Sequence, residues 1–212
     1  DNQERLIEKV RATNPDAIFL TGDLIDSRRY DLQNSLDAVE QFVTFSDVYY
    51  VLGNHEVAVN RVDEIYGALE RLGVQILPNQ SLEIERDGER LTIIGIEDPL
   101  MGKEPQQMLD EAMATVDDKS FKILLSHRPE IFETYVENAV DVVFTGHAHG
   151  GQIRLPFSDG LFAPGQGWFP SQTSGVHEAD ETRMVVSRRL GNSVLQQRLF
   201  DLPEIVVVDL KS

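Results

Sequence analysis

The 212 residues are 41% apolar and 26% charged, which excludes a disordered polyampholyte. No apolar run approaches the roughly 20 residues that a membrane-spanning helix needs. Thirty-six acidic against 19 basic side chains leave a formal charge of −17, which argues against DNA packaging or non-specific RNA binding; cysteine is absent, removing disulfides, thiolate metal sites and cysteine nucleophiles together.

Two apolar periods alternate along the chain. Residues 2–13 predict a helix with Leu6, Ile7 and Val10 on one stripe, ended by Pro15. Ala17-Ile18-Phe19-Leu20 follows as a short, wholly apolar strand. A helix over about 31–44 leads to the strand Val48–Leu52, and a helix over about 61–72 leads to Val74–Leu77. Ser81–Arg86 and Arg90–Ile96 alternate around Asp87-Gly88, a hairpin signal. A helix over about 105–116 precedes the strand Phe121–Leu125, and a short helix near 130–138 precedes Val140–Phe144. Met184–Ser187 and Ile205–Leu210 are strand-like. Parallel strands with helical crossovers, joined to hairpins, predict an α/β sandwich of two mixed sheets flanked by helices, in one domain over 1–212.

The chemistry sits at the strand ends. Ile18-Phe19-Leu20 runs into Thr21-Gly22-Asp23-Leu24-Ile25-Asp26, and Val51-Leu52 into Gly53-Asn54-His55-Glu56. Leu124-Leu125 runs into Ser126-His127, and Val143-Phe144 into Thr145-Gly146-His147-Ala148-His149. Ligands of α/β sheets bind at the carboxyl ends of strands. Four of the five histidines lie in these loops. Carboxylate, imidazole and amide oxygen without thiolate suit Mn²⁺, Fe²⁺ or Zn²⁺. Two such ions about 3.5–4 Å apart, sharing a carboxylate, can clamp both oxygens of an in-line phosphoryl displacement. Asp23 is the natural bridge, and His147 and His149 can aim at different ions.

Each residue alone has a plainer reading. Gly22-Asp23 is an ordinary turn and Asp26 an ordinary helix cap. His127 alone reads as a satisfied structural histidine, and Glu56 as a cap outside the metal's ligands. Arg128 reads as a phosphate contact or a salt bridge at a helix start. Residues 156–183, with Phe157, Phe162, Trp168 and Phe169, read as a loop packing its own aromatics or as an apolar wall for substrate, and His177 as a surface residue.

Gly22-Asp23-x-x-Asp26, Gly53-Asn54-His55-Glu56, the strand-end His127 and Gly146-His147-x-His149, in this order over nearly the whole chain, resemble the calcineurin-like metallophosphoesterases. Residues 146–157 (GHAHGGQIRLPF) and 187–205 resemble a bacterial branch of membrane-associated or exported phosphodiesterases. The resemblance implies a four-layer α/β/β/α fold and two divalent ions, Mn²⁺ first, with Fe, Zn or Ni as alternatives. It implies that Asp23 bridges them, that Asn54, His127 and His147 complete one site, and that His149 serves the other. His55 would meet the phosphate as proton donor or transition-state stabiliser, Asp26 would hydrogen-bond and orient it, and a hydroxide between the ions would attack phosphorus. The family opens on a strand ending in Asp-x-His, a pair this sequence lacks; an upstream strand is therefore expected, and without it the site nearest His149 would bind metal weakly.

The expected activity is hydrolysis of a small or lipid-linked phosphodiester, with no extended nucleic acid as partner. The full-length protein is expected to be membrane-associated or exported in a bacterium, with a cytoplasmic location as the alternative. Two other readings fit the same residues: a non-catalytic binding module on a degenerate site, and a two-metal hydrolase of another bond.

Overall fold

Side chains of a strand point alternately to its two faces, and that period of two sorts the core into layers. In a computed structural model of the chain, which describes residues 2–86, 88–151, 162–163, 165–168, 170–188, 190 and 203–211, the first half holds α1 (Asn2–Ala12), β1 (Ala17–Thr21), α2 (Leu32–Phe42), β2 (Asp47–Val51), α3 (Asn54–Ala58), α4 (Val62–Arg71) and β3 (Gln75–Ile76). The strands β1, β2 and β3 pair in that order, all parallel.

The second half holds β4 (Gln80–Arg86), β5 (Glu89–Gly95), α5 (Pro105–Met113), β6 (Phe121–Leu125), α6 (Phe132–Glu137) and β7 (Val142–Thr145). After β7 come β8 (Phe162–Ala163), β9 (Gly167–Trp168), β10 (Gly175–Ala179) and β11 (Thr182–Val186). A six-stranded sheet runs β10-β11-β7-β6-β5-β4. Its four inner strands are parallel and its two edges antiparallel.

Tyr49, Val51, Ile93, Ile123 and Leu125 point between the sheets, with Phe19 and Phe144 packed against them. The Phe19 ring lies 5.1 Å from Phe144 and 5.7 Å from Tyr49, and each such pair adds about 0.5–1.5 kcal/mol beyond its buried area. Tyr50 and Leu52, one residue out of phase, face the helical layer with Ile65 of α4 and Val39 of α2. On the far side Ile94, Leu124 and Val143 pack against Met108, Leu109 and Tyr135 of α5 and α6. The order of layers is therefore helix, sheet, sheet, helix.

The smaller sheet is parallel throughout its three strands, where the sequence predicts a mixed one. Residues 203–211 lie in no strand, and Val206, Val207, Val208 and Leu210 are 40–58% exposed: the apolar run at 205–210 lacks the burial that would fix it in a sheet. Both α3 and β10 escape the periodicity, α3 because five residues hold barely one turn, β10 because Gly-Val-His-Glu-Ala carries a single large apolar side chain. His177 sits on β10, half-buried, its Nε2 3.2 Å from the Ser174 carbonyl. Phe157, Phe169, residues 152–157 and most of 187–202 lie outside the described residues. Among the described residues no helix is long and apolar enough to cross a membrane.

Candidate metal centre

Because β1 neighbours β2, β6 neighbours β7, and the two sheets meet at Phe19 and Phe144, the four polar strand ends converge at one edge of the sandwich. The loops approach so closely that glycine is required. Gly22 has φ +85°, and a Cβ there would lie 2.5 Å from the Gly53 amide nitrogen and 2.7 Å from Nδ1 of His127. A Cβ on Gly53 would lie 2.6 Å from Asp23. Asp23, His147 and His149 hold φ between 51° and 57°, a region costly for residues with a Cβ.

Glu56, buried and at the third position of α3, stitches two of the loops together. Its Oε2 accepts from the amides of Asp23 (2.9 Å) and Gly53 (2.8 Å), and its Oε1 from that of Ile25 (3.1 Å). Burial first, then the Asp23 charge, holds its carboxyl above the ordinary value despite these donors. The glutamate three residues after a helix-starting glycine was the available signal in the sequence; the two further amides, from a loop more than thirty residues away, had none.

Asp23, His127 and His147 are all buried, and each offers a ligand atom within 4.8 Å of the others'. Nδ1 of His127 donates to the Thr21 carbonyl at 2.7 Å, so the neutral ring turns its lone pair on Nε2 inward. That Nε2 meets Asn54 Oδ1 at 3.0 Å, Nδ1 of His147 at 3.1 Å and Asp23 Oδ1 at 3.4 Å. Lone pairs facing one another at this range repel unless a proton or a cation lies between them, and there is room for one or the other. The donor set thus fits a divalent ion, and the Thr21 carbonyl behind His127 supplies the outer hydrogen bond that orients a ligating imidazole.

Electrostatics agree with that geometry. Burial pulls the His127 imidazole down, but Asp23, the Thr21 carbonyl and Asp98 outweigh it and the net shift is upward. Burial, His127 and Arg128 push His147 down to about 2. Metal binding needs the His127 lone pair, so affinity is expected to fall as pH drops through the raised His127 value. Without metal the sign reverses: a raised folded pKa adds stability below the unfolded value of about 6.5, lost as pH rises through the folded one. Melting temperatures measured against pH, with and without Mn²⁺, should therefore carry opposite His127 contributions.

Asp23, Asn54, His127 and His147 are brought together. His149 is buried in the turn two residues on and stands outside that three-residue group. His55 lies at the rim with 17% of its side chain exposed, its Nε2 3.8 Å from Asp23 Oδ2. The expected hydrogen bond from Asp26 is not formed: Oδ1 of Asp26 is 3.8 Å from Nδ1 of His55, too far. The amide of Ser27 donates to that Nδ1 instead, at 3.1 Å, which leaves the hydrogen of the neutral ring on Nε2. Asp26 Oδ1 accepts from the Arg28 amide at 2.9 Å, closing its own turn. Sequence reading also missed Asp98, fully buried beyond the end of β5 and clasped by Arg128; a carboxylate following a fifth strand of this sheet was the signal.

The profile of calcineurin-like phosphoesterases matches residues 1–151. An uncharacterized metallophosphoesterase of Campylobacter jejuni is 32% identical over 212 residues, covering 98% of this chain and 54% of that protein. One from Bacillus subtilis is 28% identical over 218 residues, covering 100% of this chain and 73% of its own length. A Danio rerio protein described as a transmembrane protein with metallophosphoesterase domain is 25% identical over 213 residues, covering 92% of this chain and 49% of its own length. The chain thus spans from about half to about three quarters of these relatives. A family match over most of the chain, falling on the buried cluster of carboxylate and imidazoles, places this protein among the calcineurin-like phosphoesterases, metal-dependent hydrolases of phosphoester bonds.

Proposed function

We propose that the chain is a phosphodiesterase that uses two divalent ions, manganese in preference to iron, zinc or nickel, on a small or lipid-linked phosphoester. The observation carrying this reading is the meeting of buried Asp23, His127 and His147 with the half-buried Asn54, beside a His55 whose Nδ1 accepts from the Ser27 amide. Those four residues would hold one ion, and Asp23 with His149 would reach the other. A bound divalent ion supplies a water ionised near neutral pH and draws charge from the phosphoryl oxygens. His55, its ring neutral and its Nδ1 engaged by the Ser27 amide, would hydrogen-bond the departing alkoxide through Nε2–H and stabilise its charge, while the proton that completes the leaving alcohol comes from solvent. The Pro99–Met101 turn packs against α3 and exposes Leu100 (60%) and Met101 (41%), an apolar lip that supports a substrate with a greasy portion. The formal charge of −17 supports a compact substrate over an extended polynucleotide. The transmembrane relative supports membrane association of the full-length protein.

The test is hydrolysis of bis-p-nitrophenyl phosphate and of p-nitrophenyl phosphate with added Mn²⁺. The diester should be the better substrate and His147→Ala inactive on both. Metal binding with no turnover of any phosphoester would favour the binding module instead. His55→Ala should keep its metal and lose roughly 10²–10³-fold in turnover, the usual worth of one donor to a developing oxyanion. Asp26→Ala should stay within about tenfold, because the Ser27 amide still fixes the ring. Metal content and kcat measured on both variants check this pair.

A further inference from the structure

Arg128 follows His127 directly, yet its side chain is turned behind the site. Nε and Nη2 clasp Asp98 Oδ2 and Oδ1 at 2.6 and 2.9 Å. This fixes the plane of the guanidinium and so aims Nη1, which meets Glu130 Oε1 at 3.2 Å and His147 Nε2 at 2.9 Å. The backbone is anchored too, since the Arg128 carbonyl accepts from the buried Tyr135 hydroxyl at 2.6 Å.

A guanidinium donates and never accepts. Nε2 of His147 therefore presents its lone pair to Nη1, and the single hydrogen of the neutral ring sits on Nδ1. Nδ1 is the atom turned toward His127, 3.1 Å from its Nε2. A metal ion also takes a lone pair, and a neutral imidazole has only one to give. The arginine contact and a cation on Nδ1 are therefore mutually exclusive.

We infer that Arg128 is a built-in competitor of the metal: it holds His147 in the Nδ1–H form until a cation binds, and the cation enters only as Nη1 gives up Nε2. The hydrogen leaves Nδ1 as the metal arrives and is replaced by one on Nε2, so the ring stays neutral. Glu130 shares Nη1 with His147, and its Oε2 is buried without a hydrogen-bond partner among the described residues. It is the acceptor on hand for the new Nε2–H, which would complete the carboxylate–histidine–metal arrangement common behind ligating imidazoles. Arg128 is in this sense a positioning residue that acts through His147, and its role rests on His147 being a ligand.

Two measurements test this with Zn²⁺ alone, a diamagnetic probe. Long-range ¹H–¹⁵N spectra of the unaltered chain should show His147 as Nδ1–H without metal and as Nε2–H after Zn²⁺ addition. Arg128→Lys keeps a cation for Asp98 but loses the arm that reaches His147. Its Zn²⁺ affinity by calorimetry should rise roughly tenfold, the worth of one charge-assisted hydrogen bond. An Nε2–H form before metal, or weaker binding in Arg128→Lys, overturns the inference. Unchanged Zn²⁺ affinity in His147→Ala would instead remove the ligand reading beneath it, a distinguishable failure.

Discussion

Asp23→Asn should abolish metal-dependent hydrolysis, by at least about 10³-fold in kcat/KM, while the metal-free protein melts no lower than before. The asparagine is nearly isosteric, tolerates the φ of 55° that Asp23 adopts, and keeps an oxygen for the His55 amide, which donates to Oδ1 at 3.0 Å. What it removes is charge. Asp23 and Glu56 are two buried carboxylates that repel, as the upward shift of Glu56 records, so neutralising one relieves the metal-free fold. A divalent ion reverses the balance, because its charge is what makes two carboxylates at this edge tolerable. The parent chain should therefore gain stability with Mn²⁺, about 2.7 kcal/mol at a hundredfold excess over Kd, and the variant almost none. A variant that keeps the metal-induced rise in melting temperature would remove Asp23 from the ligand set.

The layers of the fold and the residues of the cluster were legible because both rest on local signals. Val51 and Leu52, or Ile93 and Ile94, announce a strand buried on both faces, and the polar residues that follow such strands must lie at their carboxyl edge. The histidines stood out because four of five fall on those edges. What escaped the sequence is whatever depends on distance across the fold. That Ser27 rather than Asp26 orients His55 is a matter of 3.1 against 3.8 Å, and both lie on the same turn. That Arg128 reaches back to Asp98, thirty residues earlier, needs the neighbouring strand ends to be in place. The run 205–210 misled for a related reason: β-branched residues favour a strand only when a neighbour and a core face receive them, and here most of them face outward.

Glu56→Ala should unfold much of the metal edge and not merely slow the enzyme. Three amides, of Asp23, Ile25 and Gly53, end on this one carboxylate, and all three bonds are buried. Leaving a buried donor unsatisfied costs about 1–3 kcal/mol, so the loss runs to roughly 3–9 kcal/mol against a typical total of 5–15. The melting temperature should fall by about 6 °C or more, at roughly 2–4 °C per kcal/mol for a chain of this size. Glu56→Gln separates shape from charge. Its single carbonyl oxygen can serve the amides of Asp23 and Gly53, but its amide nitrogen then faces the donor of Ile25. It should fall between the parent and the alanine variant in stability and still lose activity at saturating Mn²⁺, because the Asp23 and Gly53 loops no longer share a full clamp. Glu70→Ala, exposed on α4, is the control for removing one negative charge and should change neither quantity. If Glu56→Ala melts with Glu70→Ala, the loops carrying Asp23 and Asn54 are held by their glycine contacts and the metal alone.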